Sequence, residues 1–301
     1  MKNNAVLGPF LLLSACLLFS TNGMWLAIAP HGATPYTVAG FRMIIAAVCL
    51  FMWCRVRRIN ISLRNWPWLN LLTFAFCIWL FQILFFNSVL LVGVALASVI
   101  SIGSTPLFAG LLEWIFKKKS PPSAWYSATA LAIFGVVLIN SIQSVHVNFV
   151  HLFLPLGAGL VTAIDLMVAQ KITEKHSAEE AMTLVMTICA LLFLPFLFTQ
   201  PIEWAFTSRG MLCVLMLGIV NASVAFSLKL AGLKTTPPAM AATLALAEPM
   251  GASVIGICFL GEDSSISTVI GILCILSSIL ILIFFRKPKE TKEEDKLAPQ
   301  A

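Results

Sequence analysis

The sequence predicts an all-α membrane protein of ten transmembrane helices, arranged as two five-helix repeats of opposite orientation. Three observations lead to this prediction: the composition, a series of long apolar segments, and a match of the chain with itself. Of 301 residues, 59% are hydrophobic and 11% charged, whereas soluble domains carry about 25% charged residues. Such a chain has too few polar side chains to cover an apolar core in water.

The apolar segments follow one another with short connections. Each is about 20 residues long, which as an α-helix crosses the roughly 30 Å of a bilayer's hydrocarbon core. The predicted spans, numbered 1 to 10, are residues 8–29, 35–53, 67–90, 93–116, 123–140, 149–171, 180–199, 209–230, 237–260 and 266–285.

The basic residues indicate the orientation of this bundle. With a cytoplasmic N-terminus, all but two of the 19 Lys and Arg residues fall in cytoplasmic loops, at cytoplasmic span ends or in the tail. Because positively charged loops stay inside, both termini are expected in the cytoplasm and the protein in a bacterial inner membrane. The net charge of +6 then reflects topology and anionic lipid contact, and it requires no nucleic-acid partner.

Aligning residue 1 with residue 144 superimposes the two halves of the chain without a gap, and this alignment is called the repeat shift. It places Asn22 on Asp165, and Thr105-Pro106 on Glu248-Pro249. Each half has an odd number of spans, so the second half enters the membrane from the opposite side, as in many secondary transporters. The predicted domains are the repeats 1–143 and 144–285. The charged segment 286–301 is predicted to be a disordered cytoplasmic tail.

Several stretches resemble one family. They are FSTNGMW around Asn22, AGFRMIIAA around Arg42, and the corresponding stretches SVISIGSTPLFAGLLEWIF and ATLALAEPMGASVIGICFLGE. Over about residues 8 to 285 the chain is similar to the ten-span, EamA-type members of the drug/metabolite transporter superfamily. The resemblance implies a carrier of amino acids or related metabolites, usually exported. The first repeat reads KKK where the second has Gly261-Glu262, so it lacks the family's glutamate there.

Four ionisable residues lie within the predicted spans, namely Arg42, Glu113, Asp165 and Glu248, if Lys171 and Lys229 are taken as span ends. A charge at the bilayer centre costs about 2.5–3.5 kcal/mol on insertion scales, so it normally faces a partner or a wet cavity.

Glu248 lies near the middle of span 9. Pro249 removes the helical partner of the Ala245 carbonyl, and Pro106 does the same for Ile102 in span 4. Corresponding helix breaks in two inverted repeats indicate a substrate cavity. The alternative is that both prolines only kink helices for packing, while Glu248 is neutral and hydrogen-bonded.

Arg42 and Asp165 have two possible roles each, and Glu113 has one. Arg42 either pairs with a protein carboxylate or receives an anionic substrate group. Asp165 and its repeat partner Asn22 are either gate elements or helix-to-helix hydrogen-bonding groups. Glu113 precedes Lys117 by four residues, the favourable order for a structural surface pair.

Two stripes of polar and aromatic residues complete the predicted substrate site. Ser101 and Thr105, with Ser98, share one face of span 4, and Trp79, Gln82 and Phe86 share one face of span 3. Either stripe could instead serve helix packing. With Glu248 these residues would form a cavity for an amphiphilic molecule.

The predicted function is a secondary transporter that moves a small polar or amphiphilic metabolite, such as an amino acid, by alternating access around a midplane cavity. Glu248 would contact a cationic or hydroxyl group or exchange a proton, and Arg42 would balance its charge or hold a carboxylate. The expected partners are the substrate, membrane lipids and protons as coupling ion. The eight cysteines and four histidines lack metal-ligand spacing, so no metal and no cofactor are predicted. The chain is expected to act as a monomer or homodimer.

Three alternatives differ in class. The first is a cation or multidrug exporter that uses Glu248 and the aromatic residues without an anion site. The second is a membrane scaffold that transports nothing. The third is an intramembrane enzyme with Asp165 and Glu248 as acid and base, but no nucleophile-base pair or phosphate loop supports it. The sequence therefore favours a protein that is not an enzyme.

Overall fold

The computed structural model describes residues 3–59, 61, 64, 66–118, 120–139, 148–259 and 265–284. These residues form helices and connecting loops, and none of them is in a strand. The predicted tail 286–301, the predicted repeat boundary at 143/144 and the Gly261-Glu262 pair lie outside the described residues.

Ten apolar spans follow one another through the described residues, which confirms the predicted fold class. The helices of the first half are Asn3–Phe19 and Asn22–Ala27 (span 1), Pro35–Val56 (span 2), Trp68–Val92 (span 3), Val94–Lys117 (span 4) and Ser123–Ile139 (span 5). Apart from the start of span 1, these bounds agree closely with the predicted ones.

The second half repeats this order. Its helices are the 3-10 turn Phe149–Leu152 with Phe153–Thr173 (span 6), Ala178–Thr199 (span 7), Ser208–Met216, the π-helix Leu217–Ala225 and Phe226–Leu233 (span 8), Pro238–Leu244 and Ala247–Phe259 (span 9), and Ile266–Phe284 (span 10). A further 3-10 turn, Glu203–Phe206, precedes span 8.

Equivalent capping motifs start span 2 and span 7. The Thr34 side chain accepts from the backbone N–H of Thr37, and the Ser177 side chain accepts from that of Glu180. Both pairs are capping boxes, which satisfy backbone donors that the first helical turn leaves free. Because the repeat shift places Thr34 on Ser177, the two halves start these helices in the same way.

The two halves interlock through helix pairs that obey the repeat. Span 2 packs on span 7, and span 5 packs on span 10. Span 3 packs on span 6 and span 1 on span 8, two contacts that the repeat shift interconverts. A pseudo-twofold relation of this kind is what inverted-topology repeats produce.

Spans 5 and 10 approach closely at two glycines. A Cβ atom added to Gly271 would lie 2.6 Å from the carbonyl oxygen of Gly135, and one added to Gly135 would lie 2.7 Å from that of Gly271. Small residues allow such backbone contact between membrane helices, which otherwise gain little from burial because lipid is equally apolar.

Span 9 is broken at Ala245 and Leu246. Because Pro249 has no N–H, the Ala245 carbonyl accepts instead from the N–H of Glu248, at 3.0 Å. The Leu244 carbonyl receives the thiol of Cys16 at 3.7 Å from span 1. The break is therefore satisfied from both sides, and Glu248 lies in the first turn of the second helix segment, where the helix dipole favours negative charge.

The predicted second break, at Pro106, is wrong. Span 4 is one helix from Val94 to Lys117 with Pro106 inside it. The hydroxyls of Ser101 and Thr105 donate to carbonyls one turn earlier, to Ala97 at 2.7 Å and to Ser101 at 2.8 Å. Membrane helices tolerate an interior proline when surrounding groups replace its lost hydrogen bond, so Pro106 does not divide span 4. The equivalent spans of the two repeats therefore differ: span 9 is broken beside its proline, whereas span 4 is continuous.

The bundle has two distinct ends. Arg57, Lys118, Lys175 and Lys234 follow the ends of spans 2, 4, 6 and 8, and this end is called the basic face. The other end, called the opposite face, carries the loop between spans 1 and 2 and the loop between spans 7 and 8.

Candidate functional site

A cavity of about 420 Å³ lies between the two halves. Spans 1, 2, 3, 4, 6, 8 and 9 all contribute to its walls. It reaches the opposite face, where Ala29, Ala33 and Pro35 line it. Toward the basic face its lining includes Lys229 and Ala241, the latter in the first turn of span 9, but no described residue of the loops at that face. The lining therefore extends to the loop at the opposite face but not to the described loops at the basic face.

Eight of the eleven predicted site residues line this cavity. They come from both repeats and are Asn22, Arg42, Gln82, Phe86, Ser101, Thr105, Asp165 and Glu248. The structure thus brings together residues that lie as far apart in the chain as Asn22 and Glu248. Whether they bind substrate stays a prediction.

Three predicted residues do not line the cavity, namely Trp79, Pro106 and Pro249. Trp79 packs against the hydrophobic core and against the ring of Phe76. Ser98, the first residue of the predicted hydroxyl stripe, is likewise absent from the walls. In span 4 the two stripe residues nearer the middle of the helix line the cavity, whereas in span 3 the mid-helix residue Trp79 does not.

Asp165 forms an ion pair that the sequence did not reveal. The Nζ of Lys229, on span 8, lies 2.5 Å from Oδ2 of Asp165 on span 6. Both side chains are largely buried, with 17% and 6% of their surface exposed. Nζ also lies 5.4 Å from the centre of the Phe226 ring, a favourable cation–π distance. The pair lies on the cavity wall.

The prediction that Lys229 ends span 8 at the cytoplasmic side is wrong. The helix continues to Leu233, one turn beyond Lys229, so the side chain lies within the bundle. The sequence does contain a signal for this position. The apolar residues 230–233 extend the span by one turn, which places Lys229 inside the membrane and not at the end of the helix.

Glu248 and Arg42 are not held by protein partners of opposite charge. Among the described residues, neither forms an ion pair, and Nε of Arg42 is buried without a hydrogen bond. Arg42, Lys229 and Glu248 all line the same cavity. One acid and one base are therefore free to receive groups of a bound molecule.

Asn221 is a further polar residue on the wall, and it lies in the middle of the π-helix of span 8. It is 1% exposed, its Nδ2 lies 3.5 Å from the Thr21 hydroxyl, and its Oδ1 has no partner in the described part of the chain. π-helical segments are rare and frequent at functional sites. Hydrophobic periodicity gives no signal for such a segment, so the sequence could not indicate it.

The remaining wall is apolar and aromatic. Span 3 contributes Phe81, Phe85 and Phe86, of which the first two stack with ring centres 5.5 Å apart. Phe19 and Phe226 meet edge to face at 5.0 Å on the other side. Ligand sites generally combine such walls with a few polar groups that fix orientation. No group of three His, Cys, Asp or Glu side chains within the described residues could hold a metal ion.

Comparison with known proteins identifies the family. The model of the EamA-like transporter family matches residues 6–141 and again residues 149–284. The chain belongs to the EamA-like transporter family. The repeat shift carries residue 6 onto residue 149 and residue 141 onto residue 284, so the two matches share the register of the repeat found within the sequence. The family places this EamA-like protein among multi-pass membrane transporters.

Two individual proteins are similar to this EamA-like chain. One, from Bacillus subtilis (strain 168), is named "Uncharacterized transporter YwfM"; it is 33% identical over 294 residues, which cover 97% of this chain and 98% of that protein. The other is a crystal structure that aligns with a TM-score of 0.79 at 16% identity, covering 93% of this chain and 96% of that one. The second likeness supports the fold alone.

Proposed function

We propose that this EamA-like protein is a secondary transporter that exports a small amphiphilic zwitterion, such as an amino acid with an apolar side chain, by alternating access. The observation that carries the proposal is the pair of free charges in the cavity, Arg42 and Glu248. Arg42 would receive the carboxylate of the substrate through its planar fork, and Glu248 would receive the ammonium group. The phenylalanines of span 3 would contact the apolar side chain.

A zwitterion suits this cavity because each buried charge then gains a partner. An uncompensated charge in a site of low dielectric constant is costly, and a ligand with both groups satisfies Arg42 and Glu248 together. A ligand with only one of them leaves the other residue without compensation. The cavity should therefore discriminate against cations and anions of the same shape.

The proposed orientation has the basic face and both termini in the cytoplasm of a bacterial cell, in accordance with the positive-inside rule. The cavity would then open away from the cytoplasm. Transport requires a second state in which the cavity opens on the basic face, and inverted repeats can reach such a state by exchanging the conformations of their halves.

Protons are proposed as the coupling ion, with Glu248 as their carrier. A carboxylate that binds either the substrate ammonium or a proton, but not both, couples their movements in opposite directions. In proteoliposomes, an inwardly directed proton gradient should then drive efflux of the substrate above the rate without a gradient. Equal rates with and without the gradient would remove the proton from the mechanism while leaving facilitated transport intact.

Counterflow in proteoliposomes tests the proposal directly. The panel consists of L-phenylalanine, L-phenylalaninamide, which lacks the carboxylate, and N-acetyl-L-phenylalanine, which lacks the ammonium group, with leucine and methionine as further zwitterions. Saturable counterflow of the zwitterions alone is expected. Absence of counterflow for every compound would overturn the proposed substrate class.

A cation or multidrug exporter is the second candidate, favoured by the aromatic wall next to Glu248. Aromatic faces and a carboxylate together suit lipophilic cations. In that case L-phenylalaninamide should be transported as well as or better than L-phenylalanine. The same panel therefore separates the two candidates.

A further inference from the structure

The ion pair between Asp165 and Lys229 determines how many charges the cavity offers to a ligand. The cavity contains two acids and two bases, and the 2.5 Å contact joins one of each. Because Lys229 also lies over Phe226, its position is fixed by two partners. What remains for a ligand is one acid, Glu248, and one base, Arg42.

We infer that Lys229 is a specificity-determining residue: by neutralising Asp165 within the cavity it makes the site select substrates without net charge. The inference rests on the proposed function and adds to it the role of Lys229 and the selection against substrates with a net charge. Without the lysine, two carboxylates would face Arg42, and the site would favour a substrate with one net positive charge. Without the aspartate, two bases would face Glu248, and the site would favour a net negative charge.

The repeat supports a role in selectivity over one in the scaffold. The repeat shift places Lys229 on Phe86 and Asp165 on Asn22, so the first half holds neutral residues at both positions and packs without an ion pair there. A buried ion pair is also seldom the most stable choice, since well-packed apolar residues often stabilise as much or more. The pair is therefore better explained by the charge that it controls.

The test uses three variants and the two charged analogues. Binding of L-phenylalanine, L-phenylalaninamide and N-acetyl-L-phenylalanine is measured by isothermal calorimetry on the purified protein in detergent. Lys229→Met should change the affinity ratio of amide to amino acid by about tenfold or more toward the cation, and Asp165→Asn should change the ratio of N-acetyl compound to amino acid similarly toward the anion. The double variant D165N/K229M should restore the wild-type preference, because its charge balance is that of the wild type.

The outcomes separate this inference from the proposed function. If the wild type binds none of the three compounds, the proposed substrate class is wrong. If the wild type prefers the amino acid but folded Lys229→Met has the same ratios, the inference is overturned. Where a single variant does not fold, the double variant decides: a retained preference for the zwitterion supports the inference, and a lost preference contradicts it.

A separate cluster closes the basic face. Lys117 donates to Oε1 of Glu113 at 3.0 Å, within span 4, and to Oε1 of Gln170 at 2.6 Å, on span 6. Glu113 is 9% exposed despite its charge. These three residues, Glu113, Lys117 and Gln170, are called the clamp.

The clamp also binds the turn between spans 8 and 9. Nε2 of Gln170 donates to the carbonyls of Leu233 at 3.2 Å and Thr236 at 2.9 Å. The backbone N–H of Ala239, in the first turn of span 9, donates to Oε2 of Glu113 at 3.2 Å. The cluster thus ties span 4 of the first half to spans 6, 8 and 9 of the second at the basic face.

The clamp has no counterpart on the opposite face. The repeat shift places Glu113 on Gly256, Lys117 on Leu260 and Gln170 on Ala27, none of which has a polar side chain. Inverted repeats exchange conformations when the cavity changes sides, so the equivalent contact cannot form in the state that is open to the basic face. We propose that the clamp biases the protein toward the state described here and must open for access from the basic face.

Hydrogen exchange tests the clamp without a substrate. Gln170→Leu should increase the exchange rate of the backbone amides in segment 234–241, which are those of residues 234–236 and 239–241, by about fivefold or more, because removal of the clamp lets the basic face open more often. Gln200→Leu is the matched control: Gln200 bonds to Thr34 on the opposite face, so exchange of 234–241 should stay at the wild-type rate. Glu113→Gln should act in the same direction as Gln170→Leu.

This proposal rests on the alternating-access part of the proposed function. Unchanged exchange at 234–241 in both clamp variants would overturn it, even if counterflow shows transport. Increased exchange without any transport would retain the clamp as the closure of the basic face and contradict only the proposed function.

Discussion

The hydroxyl oxygen of Ser20 lies 2.9 Å from the backbone carbonyl oxygen of Glu248. Ser20 lies where span 1 is interrupted, and Glu248 follows the break of span 9, so the contact joins the irregular segments of the two halves. Ser20 is 2% exposed and its hydroxyl also lies 2.8 Å from the carbonyl of Cys16. The backbone position of the deepest acid in span 9 is thus held by a residue of span 1.

Ser20→Ala should therefore destabilise the protein by about 1 kcal/mol, the usual net value of a lost hydrogen bond. Thermal unfolding in detergent measures it. Ser14→Ala is the control, because the Ser14 hydroxyl bonds only to the Phe10 carbonyl of its own helix. If the two variants unfold at the same temperature, the contact with Glu248 contributes nothing to stability.

Glu248→Gln should remove substrate binding while leaving the fold intact. The carboxylate has no ion pair in the described residues, so an amide of the same shape leaves no protein charge unpaired. Loss of a buried charge that meets a ligand ammonium costs about 2 kcal/mol or more, or roughly 30-fold in affinity. Proteoliposome counterflow measures the loss, and Glu203→Gln, at an exposed position in the turn before span 8, should retain full activity. Normal counterflow in Glu248→Gln would exclude the carboxylate from the site.

Arg42→Gln should distinguish a zwitterion carrier from a cation exporter. If Arg42 holds the carboxylate, Arg42→Gln should lose binding of amino acids but still bind L-phenylalaninamide. Arg42→Lys keeps the charge without the planar fork, so its affinity for amino acids should lie between those of the wild type and Arg42→Gln. Competition binding with both compounds measures this, with Arg209→Gln at the exposed start of span 8 as control. Equal loss of both compounds, in a variant that unfolds at the wild-type temperature, would contradict a specific carboxylate contact.

The spans and most of the cavity can be predicted from the sequence because both depend on simple energetics. Burial of apolar segments determines where helices cross the membrane, and the cost of a charge in lipid correctly turns Asp165 and Glu248 inward. The repeat predicts that the two halves have equivalent helices in opposite orientations. Apolar burial and the cost of a charge act on each residue separately, so both can be estimated from the sequence.

The residues that prediction misses depend on details of helix geometry. The predicted end of span 8 lies one turn too early, so Lys229 is predicted at the end of the span instead of within the bundle. Asn221 faces the cavity from a π-helix, whose register follows from neighbouring packing and not from its own sequence. Pro106 is predicted to break span 4, but the helix continues through it from Val94 to Lys117.

Gly271→Ala tests the contact between spans 5 and 10, which joins the ends of the two repeats. The added methyl would lie 2.6 Å from the carbonyl oxygen of Gly135, so the helices must separate, and overpacking of this kind costs about 1–3 kcal/mol. Gly103→Ala is the matched control, since its new methyl meets nothing closer than 3.9 Å and glycine in a helix interior costs roughly 0.5–1 kcal/mol relative to alanine. Thermal unfolding should therefore move in opposite directions for the two variants. A Gly271→Ala protein as stable as Gly103→Ala would mean that spans 5 and 10 do not pack backbone to backbone.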